Sequence, residues 1–449
     1  MPLVDRSTPR PETGETSTGM PVESDKPTLG TPGVTTKDAP ARANGLKNAA
    51  RDAVRGAVES TVPEQSRAEW RTSFDVADFG MPTGREEGWR FTPIKKLAGL
   101  FEDAATGTCL EWDERLPEGV TSSTMSVEEW RALQPPKPAD RIAAVAAANS
   151  GGVAVVDVPA EAELTEPVVL RLTGRDLADR VHGHLLVRIG NFAKATIVLS
   201  HYGSAEYAEM LTVLAGDGSQ VTVVTVQEWA DDAIHVGQHD VVVGRDAHVR
   251  HVSVSLGGAL VRVSTNAFYR GTGGSFEGLG VAFADAGQHL ENRLFVDHEP
   301  PHCSSDVLYK NALQGDDAHT VWIGDVLIRA SAEGTETYEL NRNLLLTDGA
   351  RADSVPNLEI ETGEIAGAGH ASATGRFDDL QLFYLQARGI PEDEARRLVV
   401  RGFFADIVDR IGVAEVSDHL MEMIEAELEL SALAPADAEK TATDEATHA

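Results

Sequence analysis

Two cysteines in 449 residues, Cys109 and Cys303, set the first limit on this chain. They lie far apart in no paired motif, so a disulfide framework is excluded and a reducing cytosol is the expected compartment. Two thiols also cannot by themselves hold a metal cluster. Positive charge is short as well: 39 Lys and Arg stand against 71 Asp and Glu, a net charge of −32. That imbalance argues against nucleic acid or an anionic membrane surface, and for a soluble partner. No apolar run is long enough to span a bilayer, because the longest, Ile142 to Val158, is interrupted by Asn149, Ser150, Gly151 and Gly152. Phosphate-binding signatures are missing too. There is no GxxxxGK[ST], no GxSxG, and Gly367-Ala368-Gly369 neither gains a third glycine nor opens a helix directly.

What is present divides the chain. Residues 1–44 are rich in Pro, Thr, Ser and Gly, with nearly balanced charge and no hydrophobic run. They fit neither a secretory signal nor a transit peptide and are expected to be a disordered extension. A helix-rich region is expected over 45–148. Leu46, Ala49, Ala50, Ala53, Val54, Ala57 and Val58 recur at helical spacing before Pro63. Beyond them Trp70, Phe74, Phe79, Trp89 and Phe91 supply anchors between proline breaks.

After Gly152 the texture turns to Val, Thr and Ile, with turns of Gly, Asp and Asn. The turns repeat: GNFAKATIVLS at 190, GDGSQVTVVTV at 216, GRDAHVRHVSV at 244 and GTGGSFEGLGVAF at 271 set Ala193, Ser219, Ala247 and Ser275 at intervals of 26, 28 and 28 residues. GDDAHTVWIGD at 315 and DGARADSVPNLEI at 348 read as further copies. A unit of this length cannot bury its own apolar face, whereas stacked copies share one core. Propeller blades need roughly 40–50 residues. The reading is therefore a mainly β chain, a parallel β-helix over 149–373 flanked by N- and C-terminal α-helical regions.

Around 358–389 the strand pattern gives way to a helical one. Leu358, Ile360 and Ile365 are expected in extended chain, Gly363, Gly367 and Gly369 at turns, and His370 at the join. Asp378 with Gln381 forms a capping-box pattern, Gly389 a left-handed stop, and Pro391 the next helix start. A helical unit is expected over 374–432, with helices near 379–388, 391–411 and 418–431. Its apolar stripe of Val399, Val400, Phe403, Phe404, Ile407, Val408 and Ile411 would serve packing or partner docking. Residues 433–449 form an acidic, flexible tail.

His298-Glu299-Pro300-Pro301-His302 has the letters of the zinc-protease HExxH, but two interior prolines forbid the helix that would bring both imidazoles to one metal. Asp297, His298, His302 and Cys303 have the right ligand types for a loop zinc site, against the simpler reading of a polar turn. The pairs His182/His184, His235/His239 and His248/His251 lie in strands or turns, with no third ligand evident in sequence. A carboxylate pair in a glycan-cleaving β-helix enzyme is the rival function, and a bare structural solenoid is another.

HASATGRFDDLQLFYLQARGIPEDEARRLVVRGFFADI, together with REEGWRFTP at 85–93, resembles the SufB/SufD family of iron–sulfur cluster assembly proteins, and the SufD branch most closely. The similarity covers most of the chain after about residue 70. It implies a right-handed β-helix that pairs with a SufB-like paralogue and binds a SufC-like ABC ATPase through C-terminal helices, with a cysteine desulfurase system involved indirectly. The chain itself would be non-catalytic. A transient iron–sulfur cluster would form at the SufB interface; the resemblance admits a flavin, which no residue here calls for. His370 in GHASATGR matches the family's interface histidine, implying an auxiliary cluster ligand or proton-handling group. Where some relatives have a cysteine two positions earlier, this chain has Ala368. Asn341 falls where the SufB scaffold thiol would be, and an amide is a poor iron ligand. That places the chain with SufD partners rather than SufB-type primary scaffolds.

Overall fold

The computed structural model describes residues 67, 70–377 and 379–433. The expected extension at 1–44, the helix over 46–58, the cap at Asp378 and the tail beyond 433 lie outside the described residues.

The body is a parallel β-solenoid. Its strands are β1 (Glu111–Arg115), β2 (Thr121–Met125), β3 (Val153–Val158), β4 (Val168–Ile189), β5 (Lys194–Ala215), β6 (Gln220–Trp229), β7 (Ile234–Val243) and β8 (His248–Ser255). They continue through β9 (Leu260–Tyr269), β10 (Ser275–Ala284), β11 (His289–His298), β12 (Ser304–Leu313), β13 (His319–Ile328), β14 (Glu336–Leu345), β15 (Arg351–Ile360) and β16 (Gly367–Arg376). β5 bends through a corner, its first half pairing with β6 and its second with β7. From there successive strands alternate between two sheets, even-numbered strands stacking on one and odd-numbered on the other. At the bend Gly203 has φ +73°, and an added Cβ would lie 2.1 Å from the Gly174 carbonyl oxygen, so the corners of β4 and β5 can stack only as glycines.

The turn repeat has a direct physical basis. The carbonyls of Ala193, Ser219, Ala247, Gly274 and Cys303 accept the N–H groups of Gln220, His248, Ser275, Ser304 and Glu336, each one coil later. The fourth member is thus Gly274, not Ser275, one residue earlier than the sequence alignment puts it. A Cβ on Gly274 would approach the Tyr269 ring to 2.9 Å. The segments at 315 and 348 belong to a second series on the other sheet, in which the Ala318 carbonyl accepts from Arg351 N–H.

Three apolar layers hold the coil. Inward residues such as Ile197, Leu211, Val223, Val241, Phe276 and Trp322 fill the interior. Outside the even-numbered sheet lie helices α4 (Glu392–Ile411) and α5 (Ala414–Leu433), whose Phe404, Ile407, Ile411 and Ile424 cover Val224, Val252, Val281 and Phe283. Most of the C-terminal stripe is therefore consumed by packing on the solenoid. The preceding helix, α3 (Asp379–Gln386), leaves Leu380, Phe383 and Tyr384 exposed. The opposite sheet is covered by the N-terminal region, where α1 (Val127–Ala132) and α2 (Arg141–Asn149) join the 3-10 segment Ile94–Phe101. REEGWRFTP clamps there: Arg262 stacks on Trp89 at 4.0 Å, and Thr92 donates to Glu291 at 2.7 Å.

This region is less helical than its sequence suggests, since β1 and β2 pair antiparallel with β4 and β3. Gly367 and Gly369 lie inside β16 rather than at turns, and the strand-to-helix join falls past Arg376. Pro391 is the N-cap of α4 rather than its first residue, while Gly389 takes the left-handed conformation at φ +88°.

Candidate site at the open end of the solenoid

β15 and β16 are the last strands of the two sheets, and each pairs on one side only. His370 lies in mid-β16, not at a strand–helix junction, and is exposed. Its register partner in β14 is Glu339. Parallel neighbours in register present side chains to the same face, and Asn343 donating to Thr374 Oγ1 at 3.1 Å marks that face as the solenoid interior. His370 thus stands in an inward-facing column that no further coil covers.

Glu339 is 3% exposed, and neither carboxylate oxygen has a hydrogen-bond partner among the described residues. Burial, reinforced by the charge of Asp325, pushes its pKa up to about 8. Space for it comes from Gly324, where a Cβ would lie 2.8 Å from Glu339 Oε1. The open end therefore holds a neutral, proton-bearing carboxyl one coil below an exposed imidazole.

Asn341 is fully buried in a closed network. It donates to the Tyr309 carbonyl at 3.3 Å, its Oδ1 accepts from Asn343 at 2.9 Å and contacts Ser354 Oγ, and Asn311 donates to Asn343 at 2.8 Å. Its amide is committed to holding the last coils in register, leaving nothing to offer a metal. Ala368 is inward-facing two residues before His370, again without a donor atom.

The other sequence candidates are dispersed. His298 ends β11, stacks on Tyr269 and bonds Ser305 Oγ at 3.0 Å, while Asp297 pairs with Arg329. Cys303 is buried with its thiol on backbone carbonyls. No protease helix forms there, and those four residues make no ligand set among the described residues. At this end of the solenoid two residues escaped the sequence reading, Glu339 and Ser354. The signal available for Glu339 was its spacing: it lies two residues before Asn341, hence on the same face.

Comparison with known proteins agrees with this architecture. The family described as SUF system FeS cluster assembly, SufBD core domain, matches residues 171–403. An iron–sulfur cluster assembly SufBD family protein of Mycobacterium bovis is 51% identical over 374 residues, covering 82% of this chain and 94% of the relative. The chain belongs to the SufBD family. More distant SufBD relatives include proteins named SufD. That of Bacillus subtilis is 27% identical, covering 64% of this chain and 66% of its own length. That of Escherichia coli is 23% identical, covering 74% and 86%. This SufBD chain is accordingly a component of iron–sulfur cluster assembly, and among its described residues no helix is long and apolar enough to cross a membrane.

Proposed function

We propose that this SufBD protein is a SufD-type, non-catalytic subunit that pairs end-on with a SufB-like paralogue and supports building of a nascent cluster, its cargo, at that junction. The observation that carries the reading is the pair of open ten-residue edges, β15 and β16, with His370 displayed on the interior column between them. Unpaired strand edges are templates for further pairing, and a second solenoid would satisfy them.

With Asn341 locked in hydrogen bonds, the thiolate for the cluster comes from the partner. His370 contributes a nitrogen ligand or a proton relay, and Glu339 beneath it holds a proton within the same column. A SufC-like ATPase supplies the energy, docking on the apolar surface of Leu380, Phe383, Tyr384 and Leu398, all exposed. The protein works in the cytoplasm.

The test is His370→Ala in the reconstituted complex, scored as cluster formed per intact complex. An exposed mid-strand side chain carries little of the fold, so stability should change by no more than about 0.5 kcal/mol while cluster yield falls sharply. Wild-type yield from an intact variant complex would refute the role given to His370.

A further inference from the structure

The solenoid interior holds a second cluster of titratable groups, remote in sequence from His370. Glu209 on β5 is 1% exposed, and three imidazoles surround it. His201 Nε2 lies 3.2 Å from Oε1, while His239 Nε2 and His235 Nε2 lie 3.0 and 3.4 Å from Oε2. All three rings are fully buried. The donor atoms of His201, Glu209 and His235 lie within 4.8 Å of one another.

Register explains the gathering. Gly237 stacks directly on Glu209, and His235 and His239 flank that glycine on the same face. A Cβ at Gly237 would sit 3.2 Å from His235 Nε2, 3.3 Å from His239 Nε2 and 3.4 Å from Glu209 Oε2. A small space thus adjoins three potential ligand atoms.

Proton placement makes the arrangement informative. His201 Nδ1 meets the Val226 carbonyl at 3.2 Å, which can only accept, so that nitrogen carries hydrogen. A neutral His201 then directs the lone pair of Nε2 at a carboxylate oxygen, and two acceptors at this distance need a positive charge between them: a second proton or a metal ion. An imidazole held from behind by a carbonyl with its other nitrogen free is the usual state of a metal-binding histidine. His239 can adopt the same state, since its Nδ1 is 3.3 Å from His251 Nε2. Ligand atoms around one first-row ion at about 2.0–2.2 Å stand about 3–3.4 Å apart, the separation found between each ring and Glu209.

We propose that Glu209, His201 and the imidazoles of His235 and His239 form a buried site for a borderline divalent first-row ion of the zinc or iron(II) kind, loaded before the coil closes. The nitrogen-rich donor set with one carboxylate suits such ions rather than magnesium or calcium. His235 is the weakest member. Trp229 Nε1–H donates to its Nδ1 at 3.1 Å, placing its own proton on Nε2, so that contact must open before the ring can ligate. The site is independent of the role assigned to His370.

The experiment uses the full chain isolated after expression in zinc-supplemented medium, with metal content measured after gel filtration in the presence of a weak chelator. Wild type and His370→Ala should each retain one zinc per chain, and His201→Gln/Glu209→Gln should retain at least about tenfold less. X-ray absorption of the zinc-loaded wild type should show imidazole scattering from two or more histidines, a readout that does not depend on the variant folding. Wild type free of zinc, retention unchanged in the double variant, or a zinc spectrum without imidazole would each overturn the site and leave a shared proton between His201 and Glu209 as its content.

Discussion

Glu339→Gln should remove a pH dependence that the wild-type fold carries. The carboxyl has an ordinary value of 4.5 and is pushed up to about 8 in the folded chain. Between those values the native state holds a proton that the unfolded state has released. Stability is therefore highest below the unfolded pKa and is lost as pH rises toward 8, at about 1.4 kcal/mol per pH unit. From pH 5.5 to 8.0 the loss is on the order of 3 kcal/mol. Asp240, raised to about 7, and Asp325 act in the same direction, so the wild-type profile alone does not isolate Glu339. The difference between wild type and Glu339→Gln does. Glutamine cannot titrate, and any cost of burying its amide is constant with pH. Urea unfolding of the isolated chain at half-unit pH steps gives both curves. Glu339→Gln should gain on wild type by about 3 kcal/mol across the range; parallel curves would mean that Glu339 is ionised and solvated, and that the open end holds no stored proton.

Other consequences separate packing from docking. Phe404→Ala empties a fully buried ring position beneath α4 and should cost about 3–5 kcal/mol, read as a fall in the melting midpoint. Phe383→Ser, at a side chain 68% exposed, should leave melting unchanged and yet weaken retention of the ATPase partner in a pull-down; undiminished retention would place that surface elsewhere. Gly280→Ala would drive a Cβ to 2.0 Å from the buried Tyr309 ring and should destabilise by at least about 1–3 kcal/mol, whereas Gly363→Ala, with nothing within 4 Å, should be silent in the same thermal melt.

The solenoid was legible because each coil presents a buried small residue at its turn exit, a constraint written locally. It was legible only to within a residue, since Gly274 and Ser275 are both small and the choice between them rests on Tyr269 one turn away. β1 escaped because all five of its residues are exposed, leaving no alternation to detect. The C-terminal stripe was visible, but not which surface it met. His370 was singled out by resemblance and expected at the strand-to-helix join, whereas it lies in mid-β16, and its place in an uncovered interior column needed the register with β14.

The two inward carboxyls Glu209 and Glu339 share a feature that shows why neither could be read from spacing alone. In an in-register parallel stack every inward side chain is roofed by the same position of the next coil, about 4.8 Å away. An inward carboxylate therefore needs a neighbour that gives up its volume. Glu209 has Gly237 directly over it, and Glu339 has Gly324 facing it across the interior. Each acid and its glycine are separated by the length of a coil or by half of one, and coil lengths vary with their loops. A sequence search therefore meets an isolated acid and an isolated glycine, both unremarkable. Once the register is known, the pairing marks where an inward carboxyl stands in place of apolar packing among the described residues: Glu209 in mid-coil, where three imidazoles converge, and Glu339 at the open end beneath His370.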